Sequence, residues 1–143
     1  MIISQGSAET LGNVSDLWEQ MVEEARPDWV PNKDAWKTMA LALFNTGNYI
    51  QLLATENNKL VGFGDFVFFN EPSTGKLHSV GQHFYILPEY RKGQAGYKMY
   101  RAWKEISKGF GATVMELFSF ADETARWTKV GFTPARTLLR KEI

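Results

Sequence analysis

Residues 85–102, Tyr-Ile-Leu-Pro-Glu-Tyr-Arg-Lys-Gly-Gln-Ala-Gly-Tyr-Lys-Met-Tyr-Arg-Ala, constrain the fold of this chain more than any other stretch. An apolar strand runs through a short basic loop into an amphipathic helix, and such a junction suits an anion. The first amides of a helix have no acceptor inside it, so residues 91–96 aim several N–H groups and the positive end of the helix dipole at one point. Arg91 and Lys92 add charge there, and Gly93 and Gly96 let a bound group approach the backbone. The plain alternative is a strand-to-helix turn whose basic residues are merely solvated.

The flanking sequence tells which elements this junction joins. Leu11, Val14, Leu17, Trp18, Met21, Val22 and Ala25 recur at helical spacing, with Asp16, Glu19, Glu23 and Glu24 on the other face, and Pro27 stops the helix. Asn32 caps a second helix in which Trp36, Met39, Ala40 and Leu43 share a face, and Gly47 ends it. Residues 49–55 and 59–69 are β-rich runs around the turn Glu56-Asn57-Asn58, which predicts a hairpin. A strand over 77–87 leads into the junction, and the helix beyond it places Met99, Trp103, Ile106 and Phe110 on one face. A buried strand over 113–120, a short helix over 122–129 and a last strand over 133–143 follow. With residues 1–4 as a first strand, the order is β-α-α-β-β-β-α-β-α-β, an α/β sandwich with a mixed central sheet flanked by helices.

At 143 residues, 44% of them hydrophobic and 14% aromatic, the chain reads as one domain, 1–143, with a core large enough to fold alone. Sixteen Lys plus Arg balance sixteen Asp plus Glu, which argues against a surface built for nucleic acid. No cysteine is present, excluding disulfides, thiolate metal sites and cysteine nucleophiles. No stretch reaches transmembrane length and the first residues lack a signal pattern, so the expected location is the cytoplasm, without a membrane partner. Exposed aromatics leave room for a homodimer.

The segment Ile86-Leu-Pro-Glu-Tyr-Arg91 with Gly96 resembles the central motif of the GNAT superfamily of N-acetyltransferases, Gln or Arg, two residues, Gly, one residue, then Gly or Ala. Gln94 stands at its first glycine position, with Gly93 one place earlier. Asn58-Lys-Leu-Val-Gly-Phe63 resembles that family's hairpin into its third strand, and Trp127-Thr-Lys-Val-Gly-Phe132 its Tyr-x-Lys-x-Gly-Phe segment. The three segments stand in the family's order and span most of the chain.

The resemblance implies an acetyl-CoA co-substrate and acetyl transfer to a primary amine by direct attack. It implies a cofactor cradle of Tyr85, Ile86, Leu87, Arg91, Lys92, Gly93, Gln94, Ala95, Gly96 and Tyr97, reached by Ser119 and Trp127. It also implies that strands 77–87 and 113–120 splay, leaving amides near Tyr85, Ile86 and Leu87 for the pantetheine arm. Many relatives carry a tyrosine as acid where this chain has Trp127, whose indole N–H cannot supply a proton. They also often carry an asparagine where Phe120 stands. A catalytically degenerate member that binds CoA or a protein partner is therefore the second reading.

His83, beside Gln82 on the fourth strand, is the one histidine close to the motif, and histidine chemistry suits proton transfer near neutral pH. A hydrogen-bonded structural role is its plain alternative. His78 and His83 should face opposite sides of a regular strand, so no metal pair is expected. The family places its acceptor between the first two helices and the sheet. Glu24, Asp28 and Trp29, with Glu23, Asp34 and Trp36 nearby, could there hold a cationic amine by charge and aromatic faces, unless they are only a solvated face and core.

Overall fold

Asn57 and Asn58 both adopt positive φ, 49° and 63°, in the two-residue turn that matches the twist of paired strands. That turn sets the register in which residues 49–56 pair with residues 59–67. In the computed structural model, which describes residues 1–119, 123–136 and 138–143, the chain runs β1 (Ile2–Gln5), α1 (Leu11–Ala25), α2 (Lys33–Phe44), β2 (Tyr49–Glu56), β3 (Lys59–Asn70), β4 (Leu77–Ile86), α3 (Ala95–Gly109), β5 (Val114–Leu117) and α4 (Thr124–Thr128). The five strands lie in sequence order, antiparallel except for the parallel β4–β5 pair. The Asn32 cap forms as expected, its side-chain oxygen accepting from the Ala35 amide at 3.0 Å.

Register decides which side chains share a face. Phe69 pairs with His78, Val67 with Val80, Asp65 with His83 and Phe63 with Tyr85, so these residues line the side covered by α1 and α2. The opposite side meets α3, where Phe66 lies 5.6 Å from Trp103 and Phe68 stacks on Phe110 at 4.4 Å. Phe63, Val61, Met99 and Trp103 are almost fully buried between these layers, each side chain of this size contributing about 1.5–3 kcal/mol by leaving water. α3 is also pinned to β4 by hydrogen bonds: the Trp103 indole donates to Ser79 at 2.7 Å, and Ser107 donates to the same hydroxyl at 2.8 Å. This fixes where the N-terminus of α3 sits.

Two expectations fail. The register of β4 slips at Gln82, which has no partner on β3 while Gly81 pairs with Phe66 and His83 with Asp65. This extra residue is a β-bulge, and it inverts the alternation beyond it. His78 and His83 consequently share a face rather than opposing one another. They serve separate carboxylates, Glu116 and Asp65, and no group of three or more metal-binding side chains exists among the described residues.

The final strand over 133–143 is also missing among the described residues, so the element order ends at α4. Pro134 has no N–H to donate to a ladder, and Leu138 and Leu139 are 83% and 87% exposed instead of alternating. Local β-propensity cannot make a strand without a paired neighbour. The tail instead crosses the α1 side, where Arg136 meets Glu116 at 3.5 Å and the Arg140 guanidinium lies 4.9 Å over Trp29. The expected helix start at Asp122 lies outside the described residues, as does Phe120. No helix among the described residues is long and apolar enough to cross a membrane.

Candidate functional site

β4 and β5 pair from His78–Val114 to Gly81–Leu117 and then part at the bulge, so among the described residues the second half of β4 has no strand paired with it on that side. The Leu87 amide is not free, because it donates to the Val61 carbonyl at 2.8 Å. Strand alternation therefore turns the polar backbone of Phe84 and Ile86 into the opening, and there Arg91 Nε donates to the Ile86 carbonyl at 2.8 Å. The opening widens into a groove of about 350 Å³ lined by Phe84, Tyr85, Ile86, Arg91, Gly93, Gly96, Tyr97, Tyr100, Glu123, Arg126 and Trp127. α3 starts at this groove, and the side chain of its N-cap residue, Gln94, does not cap its first amides.

The two loop glycines are not required by internal packing. A Cβ on Gly96 would meet only Phe84, at 3.9 Å, and one on Gly93 only the Tyr90 carbonyl, at 3.7 Å. Neither adopts positive φ. By contrast, a Cβ on Gly62 would sit 2.5 Å from the Ile86 side chain and 2.8 Å from the Tyr85 carbonyl, so that glycine serves the β3–β4 contact.

Several expected cradle residues stand elsewhere. Arg91 does not point to the helix start: its guanidinium pairs with Glu24 at 2.6 Å and lies 5.4 Å over Tyr85. The Tyr85 hydroxyl donates to the same carboxylate at 2.9 Å. Arg91, with help from Tyr85, holds the Glu24 carboxyl below its usual range despite partial burial, while burial and Glu24 push the Tyr85 phenol up to about 12. Leu87 and Ala95 are buried, Lys92 and Gln94 are exposed, and Ser119 lines a different hollow alongside Leu138.

Across the sheet from α3, Gln51, Asp65 and His83 stand in register on β2, β3 and β4. Asp65 is 1% exposed, and its two oxygens accept from the Tyr49 hydroxyl at 2.6 Å and from His83 Nδ1 at 2.8 Å. A buried carboxylate needs such donors. Donation from Nδ1 leaves the His83 Nε2 lone pair as the acceptor of the neutral ring. Burial, with the Asp65 charge beside it, pushes the Tyr49 phenol far up, so it remains a donor. The sequence reading missed Asp65 and Tyr49; a lone carboxylate within Val61-Gly-Phe-Gly-Asp-Phe-Val67 was the available signal.

His83 also faces a pocket of about 620 Å³ between α1, α2 and the sheet, walled by Trp18, Met21, Trp29, Trp36 and Met39. A narrow slot of about 10 Å³ shares lining residues with both cavities. Phe84 and Trp127 line both groove and slot, and His83 and Phe118 line both slot and pocket. Trp127 sits edge-on to Phe84 at 4.9 Å, and Tyr100, which the sequence reading also missed, packs 6.4 Å from it with its hydroxyl donating to the Val130 carbonyl at 3.4 Å. Of the residues expected to bind a cationic acceptor, the aromatic ones, Trp29 and Trp36, line the pocket. Asp28 is exposed away from it and Glu24 is committed to Arg91 and Tyr85.

The fold has close counterparts. A predicted acetyltransferase from Clostridium acetobutylicum, whose crystal structure includes acetyl-CoA, superposes with a TM-score of 0.83 at 15% identity over 99% of this chain and 95% of that one. A ribosomal-protein-alanine N-acetyltransferase from Brucella melitensis gives 0.78 at 15% identity over the whole of both chains. An aminoglycoside acetyltransferase from an uncultured soil metagenomic sample gives 0.79 at 14%, covering 99% and 97%. No curated protein sequence matches. The model of the Acetyltransferase (GNAT) family matches residues 15–132, and the chain belongs to that family.

Proposed function

We propose that the protein is an N-acetyltransferase that moves the acetyl group of acetyl-CoA to a primary amine by direct attack. The carrying observation is that His83, with Asp65 on its Nδ1, lines both the pocket and the slot, whose further walls Phe84 and Trp127 also line the groove. The groove suits the co-substrate: the first amides of α3 and Arg126 favour its phosphates, the glycines leave room, and the edge of β4 beyond the bulge offers backbone partners to its amide arm. When bound, acetyl-CoA supplies an activated thioester carbonyl. The new C–N bond replaces the C–S bond, the amine gives up one proton, and the departing sulfur takes one up.

His83 accepts the amine proton at Nε2, held in that tautomer by Asp65. Tyr85 is a poor proton donor to the sulfur, because its hydroxyl is engaged by Glu24 and its pKa is raised. Tyr100 is the phenol that lines the groove beside Trp127, and it takes the role that a tyrosine at position 127 would otherwise fill. The degenerate-binder reading draws on the same Trp127, and it predicts ligand binding without turnover.

Melting temperature with and without acetyl-CoA tests the first step, since a ligand of the native state raises it by mass action. A saturable rise that Gly96→Trp abolishes, followed by thiol release on adding an amine, supports the proposal. A rise with no thiol release on any amine leaves the degenerate binder. No rise at all refutes both.

A further inference from the structure

We infer that the acceptor is a primary amine carried on an aromatic or branched apolar body and lacking a second positive charge. This rests on the transferase reading above and concerns the pocket on the far side of His83. Its walls are mainly apolar: Trp18 and Trp36 stack at 5.5 Å with planes 17° apart, Met21 and Met39 flank them, and Arg26, Asn32 and Gln82 are its polar lining besides His83. Beneath these walls the buried Phe63 supports both sides, meeting Trp36 edge-on at 6.2 Å and lying 6.2 Å from His83.

The charge around the pocket points the same way. No carboxylate is among its described lining residues. Among the acids nearby, Glu24 holds Arg91 and Tyr85, and Asp16 and Glu19 face Lys33 at 2.8 and 3.8 Å. Trp29, the ring best placed to attract a cation, already has the guanidiniums of Arg26 and Arg140 at 5.5 and 4.9 Å. A polyamine or aminoglycoside would bring further positive charge toward two arginines, with no carboxylate among the pocket's described lining residues to offset it. An apolar body instead gains by displacing water from the tryptophan and methionine walls, while its single amine reaches His83.

Two measurements separate this inference from the transferase reading. The first is thiol release from acetyl-CoA with phenethylamine, isoamylamine, spermidine, kanamycin or an alanine-initiated peptide as acceptor. The second is quenching of tryptophan fluorescence by phenethylamine or spermidine without acetyl-CoA. Phenethylamine should exceed spermidine in kcat/KM by about tenfold or more, the range a matched apolar pocket supplies. Met39→Glu, at a position 44% exposed and tolerant of charge, should raise KM for phenethylamine more than it lowers kcat, and should improve spermidine. Quenching by phenethylamine without turnover would uphold the acceptor class and sink the transferase reading. Turnover led by spermidine, kanamycin or the peptide would overturn the acceptor class and leave the transferase reading standing. Absence of both quenching and turnover with phenethylamine would also overturn the class.

Discussion

Asp65 and His83 face one another across β3 and β4, carboxylate to imidazole at 2.8 Å, directly beside the bulge at Gln82. The bulge is what brings them together, because without the extra residue His83 would turn to the α3 side and leave Asp65 buried with Tyr49 alone. Replacing His83 by Gln should lower kcat by about a hundredfold or more, the usual worth of a positioned base. Asp65→Asn should lower kcat in the same direction, because an amide can donate to Nδ1 and present the wrong tautomer to the acceptor. Both should keep the wild-type melting-temperature rise with acetyl-CoA. Asp65→Ala should in addition lose about 1–3 kcal/mol of stability in urea unfolding, the cost of orphaning the buried Tyr49 hydroxyl. Wild-type turnover in His83→Gln would remove the base assignment.

Gly96 and Gly62 should respond oppositely to one methyl group. An added Cβ at Gly96, in the first turn of α3, finds open space out to 3.9 Å. Gly96→Ala should therefore stabilise the unliganded protein by up to about 1 kcal/mol through helix propensity, while shrinking the melting-temperature rise with acetyl-CoA. Gly62→Ala must push against Ile86 and the Tyr85 carbonyl and should lose about 1–3 kcal/mol. Calorimetry of the two variants with and without ligand reads all these effects. A Gly96→Ala variant with the full ligand response would show that nothing comes close to the loop at that position.

The strand-loop-helix at residues 85–102 was legible because each of its signals is local: an apolar run, Pro88, the glycines and a helical stripe through Met99 and Trp103. The Asn57-Asn58 turn and the Asn32 cap were legible for the same reason. What escaped depends on residues distant in sequence. The bulge at Gln82 exists only relative to β3, and Asp65 acquires its role only when Tyr49 and His83 are brought beside it. Glu24 was read as a ligand for an amine because nothing in the sequence around it reveals Arg91, which folding places 2.6 Å away. The tail over 133–143 shows the reverse error, strand-like composition that forms no strand among the described residues.

The Glu24–Arg91 pair gives a pH signature. The folded-state carboxyl is held below the usual range, so the native state binds that proton more weakly than the unfolded chain does. Its stabilisation is present above the ordinary carboxylate pKa of about 4.3 and is lost as pH falls through the lower folded value. The side chains are 43% and 30% exposed, so solvent screening limits the effect to at most about 1 kcal/mol. The melting-temperature gap between wild type and Glu24→Gln should be level from neutral pH down to the mildly acidic range and close below it. A gap unchanged in strong acid would mean that the glutamate acts through packing instead of charge.

Tyr100 carries the last prediction, because the proton for the departing sulfur must come from a group inside the groove. Trp127 offers only an indole N–H, and Tyr85 has its hydroxyl committed to Glu24 with a pKa near 12. Tyr97 lines the groove but is 57% exposed, so solvent competes for any contact it makes. Tyr100 instead packs between Trp127 and Phe132, and its long 3.4 Å contact to the Val130 carbonyl is the kind of weak bond that a better acceptor displaces. Tyr100→Phe removes only the hydroxyl and should lower kcat by about tenfold to a hundredfold, within or below the span for acid catalysis, while acetyl-CoA still raises the melting temperature. The loss should shrink with acyl donors whose thiols are more acidic, since their thiolates leave without a proton. An equal loss with every donor would place Tyr100 in binding the co-substrate rather than in protonating its sulfur.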